Sequence, residues 1–139
     1  MKAHVTPVSP DTITVRGVEL SFNGFNENHL RRWQDVGADV EKKYPGAMDL
    51  SANLDDVGSY TDIIEKYADG TKAFCELFDG VFGEGTSAAL FGDEPYYGLC
   101  LETYYEFLAG VERQGAAYGQ RIVKTLNGFN PVGPKGAKQ

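Results

Sequence analysis

Phe82-Gly83-Glu84-Gly85-Thr86-Ser87-Ala88-Ala89-Leu90-Phe91-Gly92-Asp93-Glu94-Pro95 lies between two long amphipathic segments, and its punctuation decides how they are joined. Gly83 or Gly85 is expected to end the preceding helix in a left-handed conformation, with Thr86 capping a short turn over residues 87–91. Gly92 then ends that turn, Asp93 caps the next helix and Pro95 opens it, since a proline there loses no hydrogen bond. Phe82, Leu90 and Phe91 should fold back over the base of the helical pair. In this reading the stretch is a structural corner carried by Phe82, Gly83, Gly85, Thr86, Phe91, Gly92 and Pro95. The competing reading makes the 83–87 turn, from Gly83 to Ser87, a cradle of free amides for an anion. That turn has neither the lysine of a P-loop nor the preceding strand of a dinucleotide fold, and Glu84 stands where a phosphate would come.

Upstream of the corner, Ser59-Tyr60-Thr61-Asp62 resembles a capping box with Asp in the place of Glu or Gln. A helix follows with Tyr60, Ile64, Tyr67, Thr71, Phe74, Phe78 and Val81 on one stripe, widened by Ile63, Leu77 and Phe82. Gly70 inside it costs about 1 kcal/mol against alanine, so a break at Asp69-Gly70 is the alternative to one continuous helix. Downstream, a last helix should run from Pro95 to Leu126 and stop at Asn127-Gly128. It carries a heptad, with Leu101, Leu108, Gly115 and Ile122 on one line and Tyr104, Val111, Tyr118 and Thr125 on the other. Such a seam packs inside the fold or against another copy, and Gly115 would let a neighbouring backbone approach. Tyr96, Tyr97, Tyr104 and Tyr105 cannot all face one core, and tyrosine suits a boundary that is dry on one side and wet on the other. The candidate interface is therefore Tyr96, Tyr97, Leu101, Tyr104, Leu108, Gly115, Tyr118 and Ile122.

The N-terminal part has a different period. Ile13 and Val15 share one face, and so do Val18, Leu20 and Phe22. The break at Arg16-Gly17 makes the pair a β-hairpin, although arginine is not a preferred first turn residue. A lone hairpin is marginal in water and must lay its apolar face on the helices. Asn26 should cap a helix bearing Leu30, Trp33, Val36 or Gly37, Val40 and Tyr44, which Tyr44-Pro45-Gly46 ends. In the stretch 46–58, Leu50, Leu54 and Val57 have the spacing of a short helix. The fold class is α+β, mainly α: an N-terminal hairpin packed on a bundle of three to four helices. Residues 1–11 read as a flexible arm, 12–127 as one domain and 128–139 as a disordered Gly/Pro/Lys tail.

A chain of 139 residues that is 42% hydrophobic and 24% charged suits one globular core. Its net charge of −7, from 13 basic and 20 acidic residues, argues against nucleic-acid binding. No apolar run is long enough for a membrane span or signal peptide, which points to an intracellular protein. Cys75 and Cys100 each sit in an apolar helical pattern and read as buried free thiols in a reducing compartment, with a disulfide between them as the alternative. His4 and His29 have no metal-ligand spacing and no nucleophile partner, and His29 reads as a solvated residue near a helix start. The many carboxylates lie mostly opposite the apolar stripes, as on a solvated face. No catalytic residue, metal site or cofactor is expected.

Phe74-Cys75-Glu76-Leu77-Phe78-Asp79-Gly80-Val81-Phe82-Gly83-Glu84-Gly85-Thr86, continuing through Leu90-Phe91-Gly92 into a helix rich in Tyr and Glu, resembles small proteins encoded among the tail genes of phages and prophages of Gram-positive bacteria. The hairpin Thr12-Ile13-Thr14-Val15-Arg16-Gly17-Val18-Glu19-Leu20-Ser21-Phe22 running into a helix is similar to that of siphophage tail assembly chaperones. The resemblance covers residues 12–127, with Phe82 to Thr86 its distinctive part. It implies a role in tail morphogenesis in the bacterial host cytoplasm. Such chaperones coat the aggregation-prone tape-measure protein and help to recruit tail-tube subunits, so the implied partners are tape-measure and tube proteins, with a homo-oligomer possible. Two other classes stay open: a tail completion or connector protein that forms rings in the virion, and a small anion- or ligand-binding protein using the 83–87 turn.

Overall fold

The structure is a computed structural model that describes residues 11–49 and 59–129, with side chains described as far as residue 120. It is mainly helical, with an N-terminal antiparallel hairpin packed against four helices. The arm before Asp11, the short helix expected at Leu50, Leu54 and Val57, the Ile122 side chain and the tail from residue 130 lie outside the described residues.

Strands β1 (Thr12–Val15) and β2 (Val18–Ser21) pair in the register Ile13↔Leu20 and Val15↔Val18. Arg16 and Gly17 both have positive φ, 50° and 79°, which makes the connection a type I′ turn whose twist matches the strands. Arginine is tolerated there because its contacts hold it. Its backbone N–H donates to Glu106 Oε2 at 3.0 Å and its Nε donates to the Leu90 carbonyl at 2.9 Å. The turn is thereby tied to two helices. Ile13, Val15, Leu20 and Phe22 are buried, so period-two alternation delivers one whole face of the hairpin to the core. Asp11, assigned from sequence to the free arm, is engaged instead: its carbonyl accepts from Phe22 N–H at 2.6 Å and its carboxylate from Asn23 Nδ2 at 2.8 Å.

Helix α1 (Glu27–Lys43) starts at Asn26, whose side chain accepts from the backbone amides of Asn28 and His29, and ends at Tyr44 before Pro45. Helix α2 (Tyr60–Phe82) starts at Ser59, whose Oγ accepts from Asp62 N–H at 3.3 Å. It runs unbroken through Gly70. The residue is buried with the Tyr97 ring against it, in the space a Cβ would need. Close packing is the reason for glycine there, and it offsets the propensity cost that suggested a break.

Helix α3 (Thr86–Phe91) is the short element of the corner, and α4 (Tyr97–Phe129) is the last helix. Two boundaries differ from the sequence reading. Helix α4 begins at Tyr97, with the Tyr96 carbonyl accepting from Cys100 N–H at 3.0 Å, so Pro95 and Asp93 precede the helix and do not open or cap it. It also continues through Asn127-Gly128 to Phe129. Asn and Gly make a stop only where the chain turns left-handed, and propensity alone costs too little to end a helix of this length.

The core gathers around Phe107. Its ring meets Phe22 at 5.2 Å, Trp33 at 5.0 Å, Phe82 at 5.7 Å and Phe78 at 6.1 Å between centroids. Hairpin, α1, α2 and α4 each contribute one or more of these rings. Most of the pairs are edge-to-face, the arrangement that aromatic quadrupoles favour. A polar clamp closes the side next to it. The Gln114 amide on α4 donates to the Phe22 carbonyl at 2.7 Å and accepts from Gly24 N–H at 2.8 Å, which fixes the chain as it leaves β2.

Candidate functional site

The corner is built by a carboxylate that the sequence reading placed on the solvated face. Asp79, in the last turn of α2, accepts from Ser87 N–H at 2.7 Å and from Ser87 Oγ at 2.9 Å, so a side chain from α2 caps α3. The Thr86 hydroxyl expected to cap this turn donates instead to the Gly83 carbonyl at 2.6 Å. Thr86 N–H also donates to Gly83, and Ala89 N–H donates to Gly85. Of the amides in the 83–87 turn, those of Gly83, Thr86 and Ser87 are engaged within the chain. Gly83 (φ 119°, ψ 151°) and Gly92 (φ 77°, ψ −159°) occupy backbone regions open essentially to glycine alone, while Gly85 (φ 95°) is left-handed. Leu90 and Phe91 are buried, Phe91 edge-on to Phe78 at 5.9 Å, and Phe82 stacks on Phe78 at the same separation. Pro95 and Tyr96 lie exposed between this corner and α4.

Along the described part of α4 the buried positions are Cys100 and Phe107, one place before the first heptad line, and Thr103 and Gly110, one place before the second. Thr103 is accommodated because its hydroxyl donates to the Leu99 carbonyl at 2.8 Å. The second heptad line packs as partly buried Tyr104 and Val111, with Tyr118 stacked on Phe25 at 4.5 Å. On the first line Leu101 is half-buried and packed against the core, while Leu108 is exposed, with Tyr105 exposed between them. Gly115 meets the Phe25 ring at the limit of contact, whereas Gly110 is where the hairpin comes close, against Ile13. Tyr97 faces inward, stacked on Tyr67 at 4.7 Å. Burial raises the Tyr97 and Tyr104 hydroxyls above their ordinary value, while Tyr96 is exposed.

A third feature has no counterpart in the sequence reading. Between α1, the segment after it, α2 and α4 lies an open cleft of about 440 Å³, walled by Trp33, Met48, Phe74, Leu77 and Tyr104, with Glu41 and Asp49 at its edge. Trp33 and Tyr104 lie nearly parallel there, at 12° and 6.2 Å. Next to it, Glu76 accepts from the Tyr44 hydroxyl at 2.6 Å and pairs with Lys43 at 3.1 Å. The Tyr44 hydrogen bond, with Lys43 adding to it, holds the Glu76 carboxyl below its ordinary value.

The remaining chemistry-bearing residues settle into the fold. His29 is half-buried, and its Nδ1 accepts from Asn23 N–H at 2.9 Å; it is a structural acceptor and not the solvated residue expected. Cys75 and Cys100 are both free; Cys100 is buried and Cys75 only partly so. Among the described residues, no group of three or more His, Cys, Asp or Glu could hold a metal ion, and no helix is long and apolar enough to cross a membrane.

A family model matches residues 16–133, which take in β2 and all four helices. The chain belongs to DUF6673, a family of unknown function. The match includes the corner, the outward side of α4 and the cleft, so the surfaces described above lie within the family's own span. No curated protein and no solved structure matches the chain.

Proposed function

We propose that this protein is a tail-morphogenesis chaperone of a phage or prophage, working in the host cytoplasm by binding helices of tape-measure and tail-tube proteins. The observation that carries the reading is the outward side of α4. Leu101, Tyr105 and Leu108 recur at i, i+4 and i+7, half-buried or exposed, on a helix whose opposite side is already packed. A row of large apolar groups at that spacing is what a partner helix takes up on a groove or ridge. The net charge of −7 keeps such a surface soluble while it is uncovered.

Co-expression with a phage tape-measure protein is expected to keep that protein soluble, and Leu108→Glu or Tyr105→Glu to abolish the effect while the chaperone itself stays folded. The protein should be absent from mature particles. Its presence there in stoichiometric amount would sink the chaperone reading in favour of a ring-forming connector, whose Leu101–Leu108 row would then lie between copies.

A further inference from the structure

The cleft beside α1 shares no residue with the Leu101–Leu108 row, and its lining divides by chemistry. Trp33 of α1 and Tyr104 of α4 are half-buried in it, with their rings within 12° of parallel. Phe74 and Leu77 of α2, both buried, complete its apolar part. Glu41 and Asp49 are exposed at its edge, and no lysine or arginine is among the described residues that line it. Lys43, in the last turn of α1 beside the cleft, is already paired with Glu76 at 3.1 Å. The Glu41 carboxylate is held at the edge, because its Oε2 accepts from Gly46 N–H at 2.8 Å. Gly37, also in the lining, lies in the interior of α1, where glycine costs helix propensity. Close packing explains Gly70, but no atom comes within 4 Å of the place a Gly37 Cβ would occupy. What the missing side chain leaves free is room in the cleft.

We propose that this cleft binds a small organic cation, an ammonium or quaternary ammonium group carried on an apolar body the size of a benzene ring. Its volume of about 440 Å³ lies within the range of roughly 300–1,000 Å³ found for small-molecule pockets. The apolar body takes the inner part, against Phe74 and Leu77, and removes that surface from water. The electron-rich rings of Trp33 and Tyr104 attract a positive group, as aromatic walls do in sites for quaternary ammonium ions. Glu41 and Asp49 add full negative charges at the edge, where the cation stays in reach of water and loses little hydration. A carboxylate on the same body would meet both as repulsion, and a neutral group would gain from neither. The net charge of −7 adds attraction at longer range.

Trp33 is the only tryptophan of the chain, so its fluorescence reports on the cleft directly. The test titrates the full chain with three probes of one shape: phenethylammonium, phenethyl alcohol and hydrocinnamate. Phenethylammonium should give a saturable change with a dissociation constant on the order of 1 mM or tighter, the alcohol should bind about tenfold more weakly, and hydrocinnamate should give none. In Glu41→Gln/Asp49→Asn, where Gln keeps an acceptor for Gly46 N–H, phenethylammonium should fall to the level of the alcohol. Gly37→Leu fills the cleft and should abolish binding of both, with a melting midpoint no lower than that of the wild type. A non-saturating response to phenethylammonium would overturn the site, as would equal binding of cation and alcohol. So would unchanged cation affinity in either variant.

Discussion

The two halves of α2 carry the same amphipathic stripe and meet different fates. From Gly70 to Phe82 the helix buries Gly70, Ala73, Phe74, Leu77, Phe78 and Val81. In the first turns, Tyr60 is 86% exposed and Ile64 is 65% exposed, although both continue the stripe. The difference lies in what stands opposite. The C-terminal half faces the hairpin's Phe22, α1's Trp33, α3's Phe91 and α4's Phe107 and Tyr97. Among the described residues the first turns have no comparable apolar surface to meet until Tyr67 stacks on Tyr97. An apolar stripe at helical spacing reports that a helix has a face; whether that face is core depends on whether another element reaches it.

Substitutions at the two ends of this contrast should differ most. Phe107→Ala removes the ring on which four elements converge and should cost about 3–5 kcal/mol, read as a large loss in the urea midpoint. A loss below about 1 kcal/mol would show that the dense half is not organised around that ring. Next comes the position where the two halves join. Gly70→Ala gains helix propensity, yet its methyl overlaps the Tyr97 ring and lies 3.2 Å from the Ala47 carbonyl oxygen, so a net loss of about 1–2 kcal/mol is expected. Gly37→Ala, also helical but with nothing within 4 Å of the new methyl, should instead stabilise by up to about 1 kcal/mol. Equal signs for the two would remove the close-packing account of Gly70.

Alkaline pH tests the same half without changing its packing. Burial raises the folded values of Tyr97 and Tyr104 above the ordinary 10.0, so the unfolded chain ionises first. Their contribution is complete below 10.0 and is lost as pH rises through the folded values. Stability should hold up to that pH and fall beyond it, with a shallower fall in Tyr97→Phe/Tyr104→Phe; an unchanged slope in the double variant would assign the loss to other groups. The smallest effect belongs to the open end. Ile64→Ser should shift stability by no more than about 0.5 kcal/mol, and a larger loss would mean that these first turns are covered in solution.

The corner shows how far the chain could be read before its coordinates were known. Glycines at 83, 85 and 92 are where the backbone needs them, because positive φ is a local demand with a local residue solution. The cap on α3 was not legible. A serine or threonine beside a glycine is the usual signal, and here the acceptor is Asp79, eight residues back on another helix. The α4 seam was displaced for a related reason. A heptad through Leu101 and Leu108 and a stripe through Cys100, Thr103 and Phe107 are both helical periods, and only Thr103 looks polar. Its back-bond to Leu99 hides that polarity and lets the hairpin and α2 choose the other side of the helix. Arg16 is the converse case, an unfavourable turn residue by propensity that is held by Glu106 and the Leu90 carbonyl.

By itself, then, the sequence determined much of what depends on spacing within a few residues. That covers the hairpin and its register, the Asn26 and Ser59 caps, the proline stop after α1, and the glycine-made corner joining α2 to α4. Tertiary structure decided which faces became core, how far α4 extends and which carboxylate caps α3. Those outcomes need residues distant in sequence to be brought together, and burial energy depends on the partner surface that arrives, not on the pattern that awaits it.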